Sequence, residues 1–433
     1  MKQKPTLTLI LLTFSSVCIA QQVGKPLPKW KEGYLDIHHI NTGHGDAAFY
    51  IFPDGTTMLL DAGEMDPTAE RTNSARNAPL HPNGTKRAHE WIVDYIKRVH
   101  PGNPAIDYAI ITHFHDDHFG SYYATAKKSS RGDYFLSGIT GVGDHIIIKK
   151  ILDRGHPDYN YPIPLKSDSI RKAAMQSPAT ADDYKAMSNY WNFIEFHNKQ
   201  NGMTAERFKA GSNQQIVLQN KPEQFKSFRV QNIKVNGEIW TGKGNETMEY
   251  FPPSSVKIYV PGENQLSIAM RIEYGGFRFY TGGDCPGIAD LGAPKWNDVE
   301  TPMSTAIGEV DVAVMYHHGN RDAHNEFNIK TLKPRVWIQQ TWSSDHPGHE
   351  VLRRVTSTYL YPGPRDLFAT NMLEANKNVI GPALERAYKS MDGHIVVRVV
   401  DEGNRYFVII LNDENELNEV VSVHGPYESK IKN

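Results

Sequence analysis

The sequence feature that most constrains this fold is a dense cluster of histidine and aspartate residues that begins where an apolar segment stops. Residues 106–111 (IDYAII) are apolar and rich in branched side chains, a pattern that predicts a buried strand. Residues 113–118 (HFHDDH) then hold three histidines and two aspartates. Ordinary polar turns are built from Gly, Asn, Asp, Ser and Pro. The cluster therefore indicates a functional site on a rigid platform, between a strand end and a helix start.

The residue types in this cluster suit a metal site. Neutral imidazole and carboxylate are ligands for zinc, manganese or iron. The pair His113 and His115, with the pair Asp117 and His118 two positions on, can serve two neighbouring ions. The expected cofactor is therefore two Zn ions, with Mn or Fe as alternatives.

Other predicted strands also end at polar residues. Apolar runs precede four further candidates: Asp61, Asp284, the pair His317 and His318, and His346. In layered α/β folds, side chains at successive strand ends converge on one edge of a sheet. We expect a dinuclear site there, in which Asp284 can bridge the two ions. Asp61 is either an orienting group for a metal ligand or an ordinary turn aspartate.

Residues 32–420 are predicted to form one globular domain, within which residues 126–257 are the hardest to organise. Helical spacing is clear only at 182–199, and several short strands are expected at 216–240. Between residues 199 and 243, lysine and arginine outnumber glutamate. This excess fits either a solvated face or a rim that attracts an anionic substrate.

The N-terminal residues 1–20 have the pattern of an export signal. Lys2 and Lys4 precede an apolar core, and small residues lead to a predicted cleavage site after Ala20. We therefore expect a periplasmic or secreted protein, with a lipid anchor on Cys18 as the alternative. Cleavage leaves Cys285 as the only cysteine, either a buried apolar side chain or a metal contact.

Net charge and hydropathy exclude some classes of partner. Lysine and arginine total 47 and aspartate and glutamate total 49, which gives a formal net charge of −2. No global basic field therefore favours nucleic acid or a membrane surface, although a nucleic-acid substrate stays open. No segment beyond the signal approaches the roughly 20 apolar residues of a membrane-spanning helix. The oligomeric state is left open.

Together these motifs resemble the metallo-β-lactamase superfamily. The resemblance rests on the pattern HxHxDH at 113–118, on residues 61–63 (DAG) and on residues 283–284 (GD). Within that superfamily the chain is most similar to the hydrolase domain of the ComEC competence proteins and to secreted relatives that include phosphorylcholine esterase. The segments that carry this similarity are 41–47 (NTGHGDA), 53–55 (PDG), 59–63 (LLDAG), 264–267 (NQLS), 273–284 (EYGGFRFYTGGD) and 317–319 (HHG). Residues 126–257 are not matched.

The resemblance implies a fold and a set of ligands. The fold is a four-layer αββα sandwich with a long insertion at 126–257. His113 and His115 would bind one ion, Asp117 and His118 the other, with Asp284 bridging and His318 completing the second site. The catalytic group would comprise Asp117, which helps to hold the ion that activates the attacking hydroxide, and His317 or His346, which would act as the acid or bind the substrate oxyanion.

One segment departs from the superfamily pattern. Many members supply a third histidine for the first ion, but residues 261–267 read PGENQLS here. The first ion would then be held more weakly than the second. The candidate replacements are His145, His156, Glu263 and Asn264.

These observations predict an exported, metal-dependent hydrolase that acts on a phosphodiester, either nucleic acid or a phosphorylated component of the cell envelope. A hydrolase of a lactam, lactone or thioester is the alternative within the same fold. A surface binding protein that has lost catalysis is the alternative of another class.

Overall fold

The computed structural model describes residues 23–253, 260–289 and 292–431. The predicted export signal and Cys18 lie outside these residues. The strands, in chain order, are β1 (Leu35–His39), β2 (Ala48–Ile51), β3 (Thr57–Leu60), β4 (Ala105–Ile110), β5 (Ile147–Asp153), β6 (Thr204–Arg207), β7 (Phe228–Val235), β8 (Glu238–Trp240), β9 (Thr247–Glu249), β10 (Ala269–Tyr274), β11 (Phe277–Thr281), β12 (Val312–Val314), β13 (Val336–Gln339), β14 (Asp366–Ala369), β15 (Tyr388–Ser390), β16 (His394–Val400), β17 (Arg405–Leu411) and β18 (Val420–Glu428).

The helices cover the faces of the sheets. They are α1 (Ala88–Val99), α2 (Asp116–Phe119), α3 (Gly138–His145), α4 (Asp168–Gln176), α5 (Ala181–Asn201), α6 (Glu263–Leu266), α7 (Glu300–Ile307), α8 (Glu326–Leu332), α9 (His349–Thr356), α10 (Glu374–Ile380) and α11 (Pro382–Ala387). No helix within the described ranges is long and apolar enough to cross a membrane.

The strands form two large sheets. Within the described residues each sheet has nine strands, in the orders β18-β17-β16-β1-β2-β3-β4-β5-β6 and β15-β14-β13-β12-β11-β10-β7-β8-β9. The run from β3 to β6 is parallel, and so is the run from β11 to β15. Parallel neighbours place their carboxyl ends at the same edge of a sheet, where the candidate ligands lie.

Apolar side chains pack on both faces of each sheet. Tyr50 and Leu60 of the first sheet belong to one buried cluster with Phe279 and Ile338 of the second, so the main core lies between the sheets. A second cluster joins the first sheet to α1, α3 and α5, and a third joins the other sheet to α7, α8 and α9. The layers therefore run helix, sheet, sheet, helix, which confirms the predicted αββα sandwich.

Helix α1 illustrates how the sequence pattern produces this packing. Trp91, Ile92, Tyr95 and Ile96 recur at helical spacing and are all buried, so they form one apolar stripe that faces the first sheet. The helix ends at Val99, and Pro101 follows. A proline residue cannot continue the hydrogen-bond ladder of a helix.

Much of the segment 126–257 is built into the two sheets. Strands β5 and β6 extend the first sheet, β7 to β9 extend the second, and α3 and α5 cover the first sheet. Residues 146–151 lie mainly in β5. Since β5 and β6 continue the parallel run from β4, this segment also shapes the edge of the sheet beside the cluster at 113–118.

Candidate metal centre

Strand ends from both sheets bring the predicted ligands together. Strand β4 leads into the cluster at 113–118, β11 leads to Asp284, and β12 leads through a 3₁₀ turn (Tyr316–Gly319) to His318. Two groups of side chains could each hold an ion: Asp117, His118, Asp284 and His318 form one, and His113, His115 and Asp284 form the other. Within each group the ligand atoms lie within 4.8 Å of one another. Asp284 belongs to both groups, as expected of a bridging carboxylate.

The distances between ligand atoms are short on both sides of Asp284. His118 Nε2 lies 3.2 Å from Asp284 Oδ1, and His318 Nε2 lies 3.1 Å from Asp117 Oδ2. On the other side, His113 Nε2 lies 3.7 Å from Asp284 Oδ2 and 3.1 Å from His115 Nδ1. His115 is exposed, whereas the other five ligands are buried.

Two buried polar atoms in this centre fit a bound cation. His118 Nε2 and Asp284 Oδ1 make no hydrogen bond with any described residue. Buried polar atoms normally have a partner, and an ion between these two would satisfy both. The mixed nitrogen and oxygen donors suit zinc, manganese or iron. The residues present therefore fit a divalent metal ion.

Asp61 orients one of the ligands. His118 Nδ1 donates to Asp61 Oδ2 at 2.9 Å, and the backbone N–H and hydroxyl of Thr112 also donate to the Asp61 carboxylate, at 2.8 and 2.7 Å. A proton fixed on Nδ1 leaves Nε2 of the ring free to face the metal centre. Of the two roles considered for Asp61, the orienting role is the one that the structure supports.

Asp46 is a site residue that the sequence interpretation missed. Its Oδ1 lies 3.2 Å from His318 Nδ1, close enough for an ion pair with a protonated ring but without the hydrogen bond that joins Asp61 to His118. Its backbone N–H donates to the carbonyl of Asp117 at 2.8 Å. The sequence feature that could have identified Asp46 is its position in the segment NTGHGDA (residues 41–47), which directly precedes β2.

Glycine is required where this backbone approaches Asp117. A Cβ at Gly45 would lie 2.4 Å from the carbonyl oxygen of Asp117, and one at Gly63 would lie 2.0 Å from it. Both distances are far below van der Waals contact. These glycines therefore let three chain segments meet behind the ligands.

Opposite charges shift the pKa values in the centre in opposite directions. Burial raises the pKa of Asp284, but the charges of His118, His318 and His317 lower it well below its ordinary value. Burial lowers the pKa of His118, but Asp284 and Asp117 raise it well above its ordinary value. The carboxylates are thus held ionised, and metal binding would displace protons from the histidines.

His317 and His346 both line the cavity above the ligands, which has a volume of about 350 Å³. His317 Nδ1 pairs with Asp322 Oδ1 at 2.7 Å, and its Nε2 lies 3.2 Å from Asn264 Nδ2. His346 stacks on His318 with ring centroids 4.6 Å apart. The structure thus places both predicted catalytic histidines beside the ligands of the second ion.

The four residues considered as a third ligand for the first ion differ in their positions and contacts. Glu263 forms an ion pair with the buried Arg154, and it accepts the backbone N–H of Phe114 at 3.1 Å. His145 and His156 do not line the cavity, whereas Asn264 does. The third partner of His113 and His115 is therefore Asp284 itself. Cys285 is buried and free, and burial raises its pKa to about 11.

The basic stretch at 199–243 does not line the cavity. Several of its cations are paired with carboxylates elsewhere, such as Arg207 with Glu238 and Lys221 with Glu32. The cations that do line the cavity are Arg71 and Arg76. Of the two interpretations of the basic stretch, the solvated face is therefore the one that fits the structure.

Sequence comparison bears on the N-terminal part of this centre. Residues 41–128 match the family model of the Metallo-beta-lactamase superfamily. The matched segment contains Asp46, Asp61 and the cluster at 113–118, and it ends before Asp284 and His318. No curated protein matches the chain significantly.

Two solved structures are distant neighbours. Zn²⁺-bound PqqB from Methylobacterium extorquens is 11% identical, with 70% of this chain and 88% of that chain covered and a TM-score of 0.32. The metallo-beta-lactamase fold protein YhfI from Bacillus subtilis is 11% identical, with 83% and 95% covered and a TM-score of 0.31. With such low identity and TM-scores, neither neighbour indicates the function of this chain.

Proposed function

We propose that this protein is an exported, metal-dependent hydrolase of phosphodiesters. The observation that carries the proposal is the pair of ligand groups that share Asp284 beneath a solvent-reachable cavity. Two ions held there would supply an activated water and neutralise charge on a phosphoryl oxygen. The apolar N-terminal segment of the sequence supports export.

The side chains around the cavity have separate tasks in this proposal. Asp117 and Asp284 would hold the metal ions, while Asp61 orients His118 and Asp46 lies beside His318. His317 presents Nε2 to the cavity. Burial lowers the pKa of His317, but Asp284 and then Asp322 raise it above its ordinary value. The Asp322 carboxylate, 2.7 Å from His317 Nδ1, orients the ring, and His317 would donate a proton to a leaving oxygen.

Arg71 favours an anionic substrate over a neutral lactam or lactone. Its side chain is exposed, lines the cavity and forms no ion pair with another residue in the described ranges. Arg76 beside it is neutralised by Asp345 at 2.9 Å. An arginine without a carboxylate partner is suited to bind a phosphate oxygen. The ComEC-like segments of the sequence point to the same substrate class.

The proposal is tested with protein loaded with Zn²⁺ or Mn²⁺ and four substrate types. These are bis-p-nitrophenyl phosphate, p-nitrophenyl phosphate, a chromogenic cephalosporin and a lactone. We expect the diester to be cleaved with the highest kcat/KM. Asp117→Asn should lower that value about 100-fold, because it weakens the site that activates water.

Asp168→Asn is the matched control, since Asp168 is exposed on α4 and far in sequence from every ligand. It should leave the rate unchanged. Faster turnover of the cephalosporin or lactone would assign another substrate class. A metal-loaded protein that cleaves none of the four would contradict the hydrolase proposal.

A further inference from the structure

A second cavity lies beside the metal centre and has no part in the roles described so far. Its volume is about 780 Å³, and it is lined mainly by the loop that connects β3 to α1, together with His44. Its lining combines apolar side chains with polar ones that include Asn73, Asn83 and Arg87. A cavity of this size can hold an organic group as well as a small ion.

The two cavities are neighbours. Asn77 lines both of them. The chain also connects them directly, since His44 lines the second cavity and Asp46, two residues on, lies beside the metal ligand His318. A substrate that extends past Asn77 from the metal centre would therefore reach the second cavity.

His44 is a buried polar side chain that faces this space. It is only 5% exposed, and its ring forms no hydrogen bond with any other residue that the structure describes. Burial lowers the pKa of His44 to about 4, so the ring is neutral at pH 7 and offers one N–H donor. Because His44 lines the cavity, this donor is available to an acceptor that binds there.

Arg87 provides a positive charge in the same cavity. It immediately precedes α1, and its guanidinium lies over the ring of Tyr123 at 5.6 Å from the centroid. Within the described ranges Arg87 forms no ion pair. His81, by contrast, is paired with Asp413 at 3.4 Å, and Glu414 lies at the rim in contact with solvent, where water screens its charge.

We propose that His44 and Arg87 bind a second phosphate group of the substrate, one that is not cleaved. The substrate class is then a phosphodiester that carries a further phosphate, as every internal unit of a phosphodiester chain does. Arginine recognises phosphate through charge-assisted hydrogen bonds, and the His44 N–H adds a neutral donor. This inference rests on the proposed function, which supplies the phosphodiester that binds at the metal centre.

The first test measures binding without catalysis, by titration calorimetry of the metal-free full-length protein. The probe is thymidine 3′,5′-bisphosphate, with thymidine and orthophosphate as comparison ligands. We expect the bisphosphate to bind at least about tenfold more tightly than either comparison ligand, because only it offers both a phosphate and an organic group. Arg87→Gln and His44→Gln should each weaken bisphosphate binding about tenfold or more.

Lys97→Gln is the matched control, because Lys97 is an exposed cation near the other end of α1. It should leave the affinity unchanged. The proposal is overturned if thymidine binds as tightly as the bisphosphate, or if Arg87→Gln and His44→Gln, shown to be folded by circular dichroism, bind the bisphosphate like the wild type.

The second test separates this inference from the proposed function. It compares the p-nitrophenyl ester of thymidine 5′-phosphate with and without a 3′-phosphate, using metal-loaded protein. We expect the 3′-phosphate to lower KM about tenfold in the wild type and in Lys97→Gln, but not in Arg87→Gln. Cleavage of both esters with equal KM would overturn the inference and leave the hydrolase intact. Cleavage of neither would contradict the proposed function, and the calorimetry would still decide whether the cavity binds phosphate.

Discussion

Asp284 is the single residue on which both candidate metal sites depend. Its Oδ1 lies 3.2 Å from His118 Nε2, and its Oδ2 lies 3.7 Å from His113 Nε2 and 3.6 Å from His318 Nε2, so histidines of both groups surround it. His115, in contrast, contributes to one group only and is exposed. Loss of these two side chains should therefore have unequal effects on metal content.

We expect Asp284→Asn to abolish retention of both ions and His115→Gln to abolish retention of one. After loading with Zn²⁺ and dialysis, the wild type should hold about two ions per chain, His115→Gln about one and Asp284→Asn close to none. Metal analysis by mass spectrometry makes the measurement. An Asp284→Asn protein that holds as much zinc as His115→Gln would show that Asp284 does not bridge.

The candidate ligands and the orienting residue Asp61 could be predicted from sequence, but Asp46 could not. His113, His115, Asp117 and His118 lie within six positions of one another and follow an apolar strand, so their convergence is local. Asp46 and His318 meet only because a loop beside β2 in the first sheet faces a turn after β12 in the second. Sequence spacing holds no information about such a long-range contact.

At the scale of elements, the apolar strands could be predicted from sequence. Which strands belong to each sheet could not. Long, fully buried strands such as β16 have a clear apolar pattern. Strand β6 has only four residues, none of them buried, so its place at the sheet edge depends on pairing with β5 rather than on its own sequence. This is why residues 126–257 were read as an insertion of uncertain structure.

Strands β1 and β16 are joined by a buried ion pair. Arg398 Nε donates to Asp36 Oδ1 at 2.9 Å, and Arg398 Nη2 donates to Asp36 Oδ2 at 2.6 Å. We expect Asp36→Asn to lower the free energy of unfolding by about 3–5 kcal/mol, because it leaves the guanidinium buried without a counter-charge. Urea denaturation at pH 7 measures this.

The exposed pair of Asp401 with Arg405 provides the control. Asp401→Asn should change the free energy of unfolding by less than about 1 kcal/mol. Adding Arg398→Met to Asp36→Asn should restore part of the lost stability. Equal effects of Asp36→Asn and Asp401→Asn would show that the buried pair has no special role.

The buried pair of Asp36 with Arg398 should make the free energy of unfolding depend on pH in the acidic range. Burial raises the pKa of Asp36, but Arg398 and then His38 lower it from 3.8 to about 2. A lowered carboxyl pKa contributes stability above pH 3.8, and that contribution disappears as the pH falls through about 2. The stability difference between wild type and Asp36→Asn should therefore shrink between pH 4 and pH 2.

At the scale of the whole molecule, the metal centre joins the two sheets. His113 to His118 follow a strand of the first sheet, while Asp284 and His318 follow strands of the second. A ligand that binds only the folded state raises stability by mass action, by about 4 kcal/mol at a thousand times its Kd. We therefore expect Zn²⁺ to raise the Tm by several degrees and a chelator to reverse this.

His318→Gln should abolish most of this zinc-dependent shift, and His349→Gln, at an exposed histidine on α9, should keep it. Differential scanning calorimetry of the metal-free and zinc-loaded proteins makes the comparison. A shift that persists in His318→Gln would mean that zinc stabilises the protein from another place.

The pairing of β1 with β16 also determines when β1 can gain its second neighbour during synthesis. Strand β1, the earliest that the structure describes, pairs with β2 on one side, but its partner on the other side is residues 394–400. Until those residues leave the ribosome, the backbone groups along that side of β1 have no strand to bond to. Open strand edges of this kind readily accept other chains. A polypeptide that stops short of β16 should therefore aggregate, even though every metal ligand has already been made.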